Sequence, residues 1–286
     1  MSLSQDGGHG LPGAPFASLE ASARRITTAS DHGDLVWRLW GDGPPLLLLH
    51  GAHGAWSHWI CNIEALSQHY TVIAPDLPGC GESAPPPREE NETIVALLAQ
   101  GLREISPERL PVDVVGFSFG GVIAAFLAIC QSDVVRRLIL LDTGGLDTPR
   151  GDYPIRRMKG LEGNERREAV RANLQSMMLA DPARADDLAV DLQLLNVPRC
   201  KLDVAPLVLP DRLLRILPEI PVPVSWIWGE KDRLHPDPAL QAEAIRSVIA
   251  DFGFHVVPDG GHWIMYERPQ EVNRLLLDLL AQPARS

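Results

Sequence analysis

Short apolar runs alternate with longer helical patterns along most of this 286-residue chain, and this alternation restricts the fold more than any other feature. Five of the apolar runs have the length and continuous hydrophobicity of strands that are buried on both faces. They are Pro45–Leu49, Thr71–Ala74, Val112–Val115, Leu138–Leu141 and Val224–Trp228. Helical patterns separate them over Ala55–Ser67, Asn91–Ile105, Phe119–Gln131, Pro238–Ile249 and Pro269–Leu280. Such alternation predicts an α/β fold with a mostly parallel, doubly wound sheet.

Three further segments extend the predicted sheet to eight strands. Ile26–Thr28 and Leu35–Trp40 are typical of an antiparallel hairpin, because turn-forming residues occupy positions 31–34 between them. Phe254–Val257 has the pattern of a final strand.

The alternation breaks between Gly144 and Leu217, where no segment has a strand pattern. The stretch Glu165–Leu179 places Leu174, Met177 and other apolar residues at helical spacing. Ligands of open α/β sheets bind at the carboxyl edge of the strands, and an insertion between two strands can cover that edge. We therefore predict a helical cap over residues 144–217, the alternative being a helical excursion without a functional role.

These patterns set the expected organisation of the chain. We predict a flexible tail over residues 1–22, a core over 23–143, the cap over 144–217 and a second part of the core over 218–286. The first residues are rich in glycine and proline and lack the basic start and apolar centre of a signal peptide. No apolar run approaches the roughly 20 residues that a membrane helix needs.

Cysteine usage and charge indicate the compartment and the partners. Four scattered cysteines with no Cys-x-x-Cys pair indicate reduced, buried thiols and a cytoplasmic protein. A net charge of −11 argues against nucleic acid or an anionic membrane as a partner. We expect a small-molecule acyl substrate and no cofactor, and a homodimer stays an open alternative.

The strongest chemical signal is the segment Gly116–Gly121, which contains a Gly-x-Ser-x-Gly sequence between a predicted strand and a predicted helix. This context is that of a nucleophile elbow, in which a strained turn projects the serine hydroxyl above the sheet. Ser118 would lie at a helix N-terminus, which favours developing negative charge. We predict that Ser118 is a nucleophile, a simple tight turn being the alternative.

A serine nucleophile needs a base, and the base needs an acid to orient it. His262 follows the last predicted strand and Asp232 follows the strand before it, so both fall at the same sheet edge as Ser118. We predict His262 as the base and Asp232 as the acid. Glu230 and Asp142 are the competing acids.

Two further groups of residues are expected to contact the substrate. An oxyanion hole needs two backbone N–H groups, for which Phe119 and Ala52 are the best-placed candidates. The expected lining of an apolar substrate pocket is His53, Trp56, Phe117, Met177 and Trp263. His50, His53 and His58 lack a carboxylate or cysteine at matching ligand spacing, so we predict no metal and a structural hydrogen-bonding role for His50.

Several motifs occur together in a fixed order between Ile26 and Leu280. They are His50-Gly51, Asp76–Ser83, the elbow, Trp228–Asp232 and Gly261-His262. In this order they resemble the α/β-hydrolase fold family, whose triads run Ser, Asp, His along the chain. That resemblance implies the eight-stranded sheet and the triad, but it does not imply one substrate, because the fold supports many reactions.

A narrower resemblance is to the carbon–carbon bond hydrolases of meta-ring-cleavage products. It is carried by Gly261–Trp263, Tyr266–Arg268 and Asn273–Leu275. The chain departs from that pattern at Phe117, where those enzymes typically have Asn, and at Ala52–Ala55, where they have a Ser-Gly-Pro-Gly-like loop. Arg171 and Arg199 are the candidate substitutes for their substrate-carboxylate binder in the cap.

The leading hypothesis from sequence is a serine esterase that hydrolyses a small or medium acyl substrate, an ester, a thioester or a related compound, through an acyl-Ser118 intermediate. Two alternatives stay open, a carbon–carbon bond hydrolase and a non-catalytic ligand receptor on the same fold. A serine at the elbow argues against haloalkane dehalogenase or epoxide hydrolase chemistry, which requires a carboxylate nucleophile.

Overall fold

A computed structural model describes residues 12–283 of the chain. Eight strands form one sheet: β1 Arg24–Thr28, β2 Leu35–Trp40, β3 Pro45–Leu49, β4 Thr71–Pro75, β5 Val112–Phe117, β6 Val135–Leu141, β7 Val224–Gly229 and β8 Gly253–Val257. Their spatial order is β1-β2-β4-β3-β5-β6-β7-β8. Strand β2 runs antiparallel to both of its neighbours, and all other pairs are parallel. The predicted α/β fold with a mostly parallel eight-stranded sheet is confirmed.

Helices cover both faces of this sheet. The α-helices are α1 Ala14–Ser22, α2 Ile63–Ser67, α3 Asn91–Ile105, α4 Phe119–Cys130, α5 Gly163–Asn173, α6 Asp187–Asn196, α7 Ala205–Val208, α8 Arg212–Ile216, α9 Pro238–Arg246, α10 Ile264–Glu267 and α11 Pro269–Ala281. Trp56–Trp59, Pro182–Arg184, Val197–Arg199 and Leu217–Glu219 are 3-10 turns, and Leu174–Met178 is a π-helical turn. None of the helices within residues 12–283 combines the length and the apolar character needed to cross a membrane.

Strand β3 shows how the core is divided between the two faces. Successive side chains of a strand point to opposite faces of a sheet. Accordingly, Leu46 and Leu48 pack with the cluster that contains Trp59, while Leu47 and Leu49 pack with the cluster of Leu98. All four leucines are fully buried, which explains why this central strand is a continuous apolar run.

The prediction of a flexible tail over residues 1–22 is wrong for the part that the structure describes; residues 1–11 lie outside the described residues. Helix α1 buries Phe16, and Leu19 accepts a 3.0 Å hydrogen bond from the indole of Trp40. Pro15 lies in the first helical turn, where a missing N–H costs nothing. The glycine- and proline-rich composition thus concealed a short helix that packs on β2.

The segment 144–217 contains helices and no strand, as its pattern predicted. Val170, Leu174 and Leu192 join the core cluster on one face of the sheet, while Leu207 and Leu213 join the other. The backbone of Met178 also accepts a 2.8 Å hydrogen bond from the N–H of Trp263. The segment is therefore packed against the loops at the carboxyl edge of the sheet.

Candidate active site

Ser118 lies between β5 and α4, in the sharp turn that the sequence predicted. Its backbone has φ 51° and ψ −117°, a strained conformation for a residue with a side chain. A Cβ at Gly116 would come within 2.5 Å of the Gly120 carbonyl oxygen, and a Cβ at Gly120 would come within 2.4 Å of the Leu49 carbonyl oxygen. The two glycines are needed because strand and helix approach too closely for side chains.

The structure brings Ser118, His262 and Asp232 into one hydrogen-bonded chain. His262 Nδ1 lies 2.9 Å from Asp232 Oδ2, and His262 Nε2 lies 3.1 Å from Ser118 Oγ. Because the carboxylate accepts from Nδ1–H, Nε2 is left to accept the serine proton. Asp232 and His262 are buried, and Ser118 is half-buried, so the hydroxyl can be reached from outside.

His235 is a component of this site that sequence reasoning missed. Its Nδ1 lies 3.3 Å from Asp232 Oδ2, the oxygen that also contacts His262. Asp232 Oδ1 accepts from the backbone N–H groups of Leu234 and His235 at 2.8 and 3.3 Å. The available signal was the spacing, since His235 follows the predicted acid by three residues in the same loop.

The surroundings of Asp232 keep it charged despite its burial. Desolvation opposes ionisation, but attraction from His262 and hydrogen bonds from His235 and His262 prevail and hold the pKa of Asp232 below its ordinary value. Burial lowers the pKa of His235, so this second imidazole is kept neutral. A charged aspartate between two imidazoles is suited to stabilising the imidazolium that forms when His262 takes a proton.

The structure separates the competing acids. Glu230 accepts a 3.0 Å hydrogen bond from the exposed backbone N–H of Asp259, away from His262. Asp142 is fully buried, and its Oδ1 accepts from the Gly229 N–H at 2.7 Å. Its Oδ2 has no hydrogen-bond partner among residues 12–283. Burial and the nearby charge of Asp232 raise the pKa of Asp142 well above its ordinary value, which favours its protonated, neutral form.

Of the two predicted oxyanion-hole residues, Phe119 directly follows Ser118, and Ala52 follows Gly51, at which a Cβ would come within 3.2 Å of Ser118 Cβ. Phe119 opens helix α4, where the first N–H groups have no intrahelical acceptor. Ala52 lies after β3, and neither N–H has a hydrogen-bond acceptor within the described range 12–283. His50 fixes the loop that carries Ala52: its Nδ1–H donates to the Gly51 carbonyl at 2.8 Å, and its Nε2 accepts from the Leu77 N–H at 2.9 Å.

The five predicted pocket residues lie in different surroundings. Phe117 is buried beside His262, with ring centroids 5.1 Å apart, and Trp263 is fully buried against Tyr266 and His58. Both rings therefore pack inside the protein and support the loop that carries His262. Met177 is half-buried and packs against the core, whereas His53 is exposed at the end of the oxyanion loop.

The placement of Trp56 in the acyl pocket is wrong. Its ring lies 5.0 Å from that of Phe16 and 5.5 Å from that of Trp40, and the Arg38 guanidinium lies over it. Phe16, Arg38 and Trp56 line a separate cavity of about 370 Å³ whose lining includes neither Ser118 nor His262. Trp56 points there because helix α1, which the sequence did not predict, supplies an apolar partner.

Asp232, His235 and His262 are also the one group within residues 12–283 whose three potential metal-ligand atoms all lie within 4.8 Å of one another. Both imidazoles already direct Nδ1 at the same carboxylate oxygen. The hydrogen bonds that both histidines make to Asp232 therefore explain why these three side chains lie together. Residues His50, His53 and His58, which the sequence also raised, do not form such a group there.

A model of the alpha/beta hydrolase family matches residues 46–275 of this chain. The chain therefore belongs to the alpha/beta hydrolase family. The match includes Ser118, Asp232 and His262, together with the segment 144–217.

Curated relatives carry several different activities. The chain is 36% identical over 117 residues to the soluble epoxide hydrolase of Corynebacterium sp. (strain C12), an alignment that spans only 40% of each protein. It is 30% identical over 264 residues to 2-hydroxy-6-oxononadienedioate/2-hydroxy-6-oxononatrienedioate hydrolase 2 of Pseudomonas putida, covering 86% of this chain and 87% of that protein.

Solved structures show the same fold over almost the whole chain. The naproxen esterase of Bacillus subtilis superposes with a TM-score of 0.73 at 18% identity, covering 93% of this chain and 95% of that one. A thermophilic esterase of Thermogutta terrifontis superposes with a TM-score of 0.67 at 26% identity, covering 90% and 97%. The first likeness establishes the fold alone.

Proposed function

We propose that this chain is a serine hydrolase that cleaves a small or medium acyl substrate, an ester, a thioester or a related compound, through an acyl-Ser118 intermediate. The observation that carries the proposal is the 3.1 Å contact between Ser118 Oγ and His262 Nε2. A serine hydroxyl is a weak nucleophile until an adjacent base takes its proton, and His262 is positioned to be that base.

In the first half of the proposed reaction, Ser118 Oγ attacks the substrate carbonyl while His262 Nε2 takes the hydroxyl proton. The charge that develops on His262 is stabilised by Asp232, 2.9 Å from Nδ1. The tetrahedral oxyanion would accept from the free N–H groups of Ala52 and Phe119. Removing one such donor costs about 10²–10³ in turnover in enzymes of this type.

In the second half, the imidazolium of His262 gives its proton to the leaving alcohol or thiol, and the acyl group stays on Ser118. Water then replaces the leaving group, His262 takes one of its protons, and attack on the acyl carbonyl releases the acid. The proton returns to Ser118 Oγ. Every proton transfer uses His262 Nε2. Both halves of the reaction therefore require a correctly oriented imidazole that is neutral before it takes each proton.

The segment 144–217 is proposed to act as the cap of this site. Its π-helical turn Leu174–Met178 packs beside the loop of His262, to which it is joined through the Met178 carbonyl and the Trp263 N–H. Met177 retains exposed surface there, and methionines adapt to irregular shapes. We infer an apolar pocket of moderate breadth, which suits a range of acyl chains.

Carbon–carbon bond hydrolysis is the second candidate, and the long alignment with the Pseudomonas putida hydrolase favours it. A cap arginine free to bind a substrate carboxylate would strengthen it. However, Arg171 already pairs with Asp187 and Glu168 and donates to the Ala185 carbonyl, and exposed Arg199 lines the separate cavity next to Trp56. These positions favour an acyl substrate without a carboxylate.

The deciding experiment compares two substrate classes on the same protein. One arm is a panel of nitrophenyl esters of increasing acyl length, and the other is a meta-cleavage-type vinylogous diketone. We expect saturable ester turnover that falls by about 10³-fold or more in Ser118→Ala. Ser247→Ala is the matched control, because Ser247 is an exposed serine at the end of α9.

Each alternative predicts a different result. Turnover of the diketone without turnover of any ester would assign the chain to carbon–carbon bond hydrolysis. Labelling of Ser118 by a fluorophosphonate, with no turnover in either arm, would instead favour the ligand receptor.

A further inference from the structure

Two cysteines and a histidine from three separate segments meet beside the oxyanion loop. Cys200 follows the 3-10 turn after α6, Cys80 lies in the loop after β4, and His53 follows Ala52. Cys80 and His53 are the neighbouring side chains that lower the pKa of Cys200, so the three groups lie close together. We call Cys80, Cys200 and His53 the thiol cluster.

Backbone contacts on both sides hold the two thiols together. The N–H of Lys201 donates to the Gly79 carbonyl at 2.8 Å, so the residues that follow Cys200 and precede Cys80 are joined directly. A Cβ on Gly79 would come within 2.9 Å of the Leu202 side chain, which shows how closely the two segments pack. The two segments that carry Cys80 and Cys200 are therefore held side by side where residues 144–217 contact the core.

The two thiols occupy different environments. Cys80 is fully buried, whereas Cys200 is only partly covered and can meet a small molecule from solvent. The hydrogen bond from Cys80, with further support from His53, lowers the pKa of Cys200 to about 4 although burial opposes this. The same contact raises the pKa of Cys80, so Cys80 stays a thiol and donates to the Cys200 thiolate.

The charges around the cluster agree with this arrangement. The hydrogen bond to Cys200 raises the pKa of His53, and Asp203 adds to that effect. The charge of Asp76 also raises the pKa of Cys80 and so favours its protonated form. A thiolate that is partly accessible, beside a histidine and a second thiol, is the arrangement of a redox-reactive cysteine.

We propose that Cys200 is a modification site for hydroperoxides and that its oxidation ends in a disulfide with Cys80. The Cys200 thiolate attacks one oxygen of hydrogen peroxide, the O–O bond breaks, and hydroxide leaves and is protonated to water. Cys200 is then a sulfenic acid. The Cys80 sulfur attacks the Cys200 sulfur, the S–O bond breaks, and the leaving hydroxide takes the Cys80 proton. In sum, two thiols and one peroxide give one disulfide and two waters.

The other two cysteines provide internal controls. Cys130 is exposed, and the partial desolvation of its thiol raises its pKa. Cys61 is half-buried, and burial raises its pKa to about 11. Both are therefore mostly thiols at neutral pH. Exposure alone would direct oxidation to Cys130, whereas thiolate character directs it to Cys200.

The test is peptide mapping of the full, folded chain after treatment with about one equivalent of hydrogen peroxide. Free thiols are blocked with iodoacetamide at pH 6, and the chain is cleaved after glutamate. Cleavage at Glu64, Glu82, Glu168 and Glu219 places Cys80 and Cys200 in the separate peptides 65–82 and 169–219. We expect these two peptides joined by a bond that a reducing agent cleaves.

Three variants locate each step. Cys80→Ser is expected to accumulate a sulfenic acid at Cys200 that dimedone traps, because the resolving thiol is gone. Cys200→Ser is expected to leave Cys80 reduced, and Cys130→Ser is the matched control that still forms the disulfide. Without peroxide, Cys200 should react with iodoacetamide at pH 6 at least about 10-fold faster than Cys130.

Three results would overturn the proposal. The first is oxidation of Cys130 before Cys200, and the second is a disulfide between two chains. The third is a Cys200 that stays alkylatable after peroxide treatment in wild-type protein whose circular dichroism shows it folded. None of these readouts depends on hydrolytic activity, so they are independent of the proposed function.

Discussion

At the scale of single residues, Asp232 is surrounded by donors on both carboxylate oxygens. Oδ2 contacts His262 and His235, and Oδ1 contacts two backbone N–H groups. These donors keep the aspartate ionised although its side chain is buried. The orientation of His262 therefore depends on one carboxylate, which makes that carboxylate testable.

Asp232→Asn is expected to reduce ester turnover by several orders of magnitude, about 10⁴-fold, because an amide cannot hold the imidazole in the required tautomer or stabilise the imidazolium. Initial rates and the melting temperature should be measured together. A small loss of turnover in Asp232→Asn, with a large loss in Asp142→Asn, would move the acid to the end of β6.

Asp142→Asn tests the neutral state of the second buried carboxyl. The pKa of Asp142 is raised by folding, so its contribution to stability is fully present below the unfolded pKa of about 3.9 and is lost as pH rises towards the folded pKa. Asparagine does not titrate and can still accept from Gly229. The variant should therefore gain stability relative to wild type between pH 4 and pH 7, measured by urea unfolding. A difference that does not change with pH would contradict a neutral Asp142.

Not every residue of the site could be assigned from sequence, for physical reasons that differ. Ser118 was predictable because its strained turn needs glycines on both sides. These glycines form a recognisable pattern of five consecutive residues with the serine. His235 was not, because a histidine in a loop has no local feature that indicates which carboxylate it will contact. The thiol cluster was missed for the same reason, since Cys80 and Cys200 meet only through tertiary packing; the expectation of buried thiols is also wrong for exposed Cys130.

At the scale of elements, the loop that carries His262 is fixed by one buried side chain of α10. Glu267 Oε2 accepts from the Gly261 N–H at 2.6 Å, and Glu267 Oε1 accepts from the Asp181 N–H at 2.5 Å. The carboxylate thus joins the histidine loop to the segment 144–217. Both donors would be left unpaired in a buried place if the acceptor were removed.

Glu267→Gln should weaken one of these two hydrogen bonds, since the amide nitrogen cannot accept. We expect a loss of stability of about 1–3 kcal/mol and a fall in turnover at unchanged substrate affinity, because the position of His262 relaxes. Chemical denaturation and steady-state kinetics provide the two readouts. Glu243→Gln, at an exposed position of α9, is the control and should change neither. Wild-type stability and turnover in Glu267→Gln would show that Glu267 does not fix the loop that carries His262.

Met177 tests whether the segment 144–217 is a cap. Replacing Met177 by Ala or Phe should shift the preferred ester chain length, by about 1–3 kcal/mol per methylene gained or lost. The profile of kcat/KM across the ester panel is the measurement. Ile155→Ala, which alters an exposed residue of the same segment, should leave the profile unchanged. An unchanged profile in both Met177 variants would leave the segment as scaffold.

At the scale of the whole molecule, the fold follows from alternation that a single sequence can show. Buried strands such as β3 need apolar residues on both faces, and this requirement is visible without any knowledge of their neighbours. Helix α1 could not be predicted in this way, because its stability comes from its contacts with Trp40 and Arg38 on β2 rather than from its own composition. The formation of α1 and the direction of the Trp56 side chain both depend on residues that are distant in the sequence. Such contacts cannot be predicted from the local sequence pattern.

The proposed reaction requires the acyl group to be bound covalently to Ser118 during turnover. The most direct measurement is rapid quenching of the wild-type enzyme with a nitrophenyl ester, followed by intact mass and peptide mapping. We expect one acyl group per chain, on Ser118, that disappears after the ester is exhausted at a rate no slower than steady-state turnover. An acyl group on any other residue, or product formation with Ser118 never acylated, would contradict it.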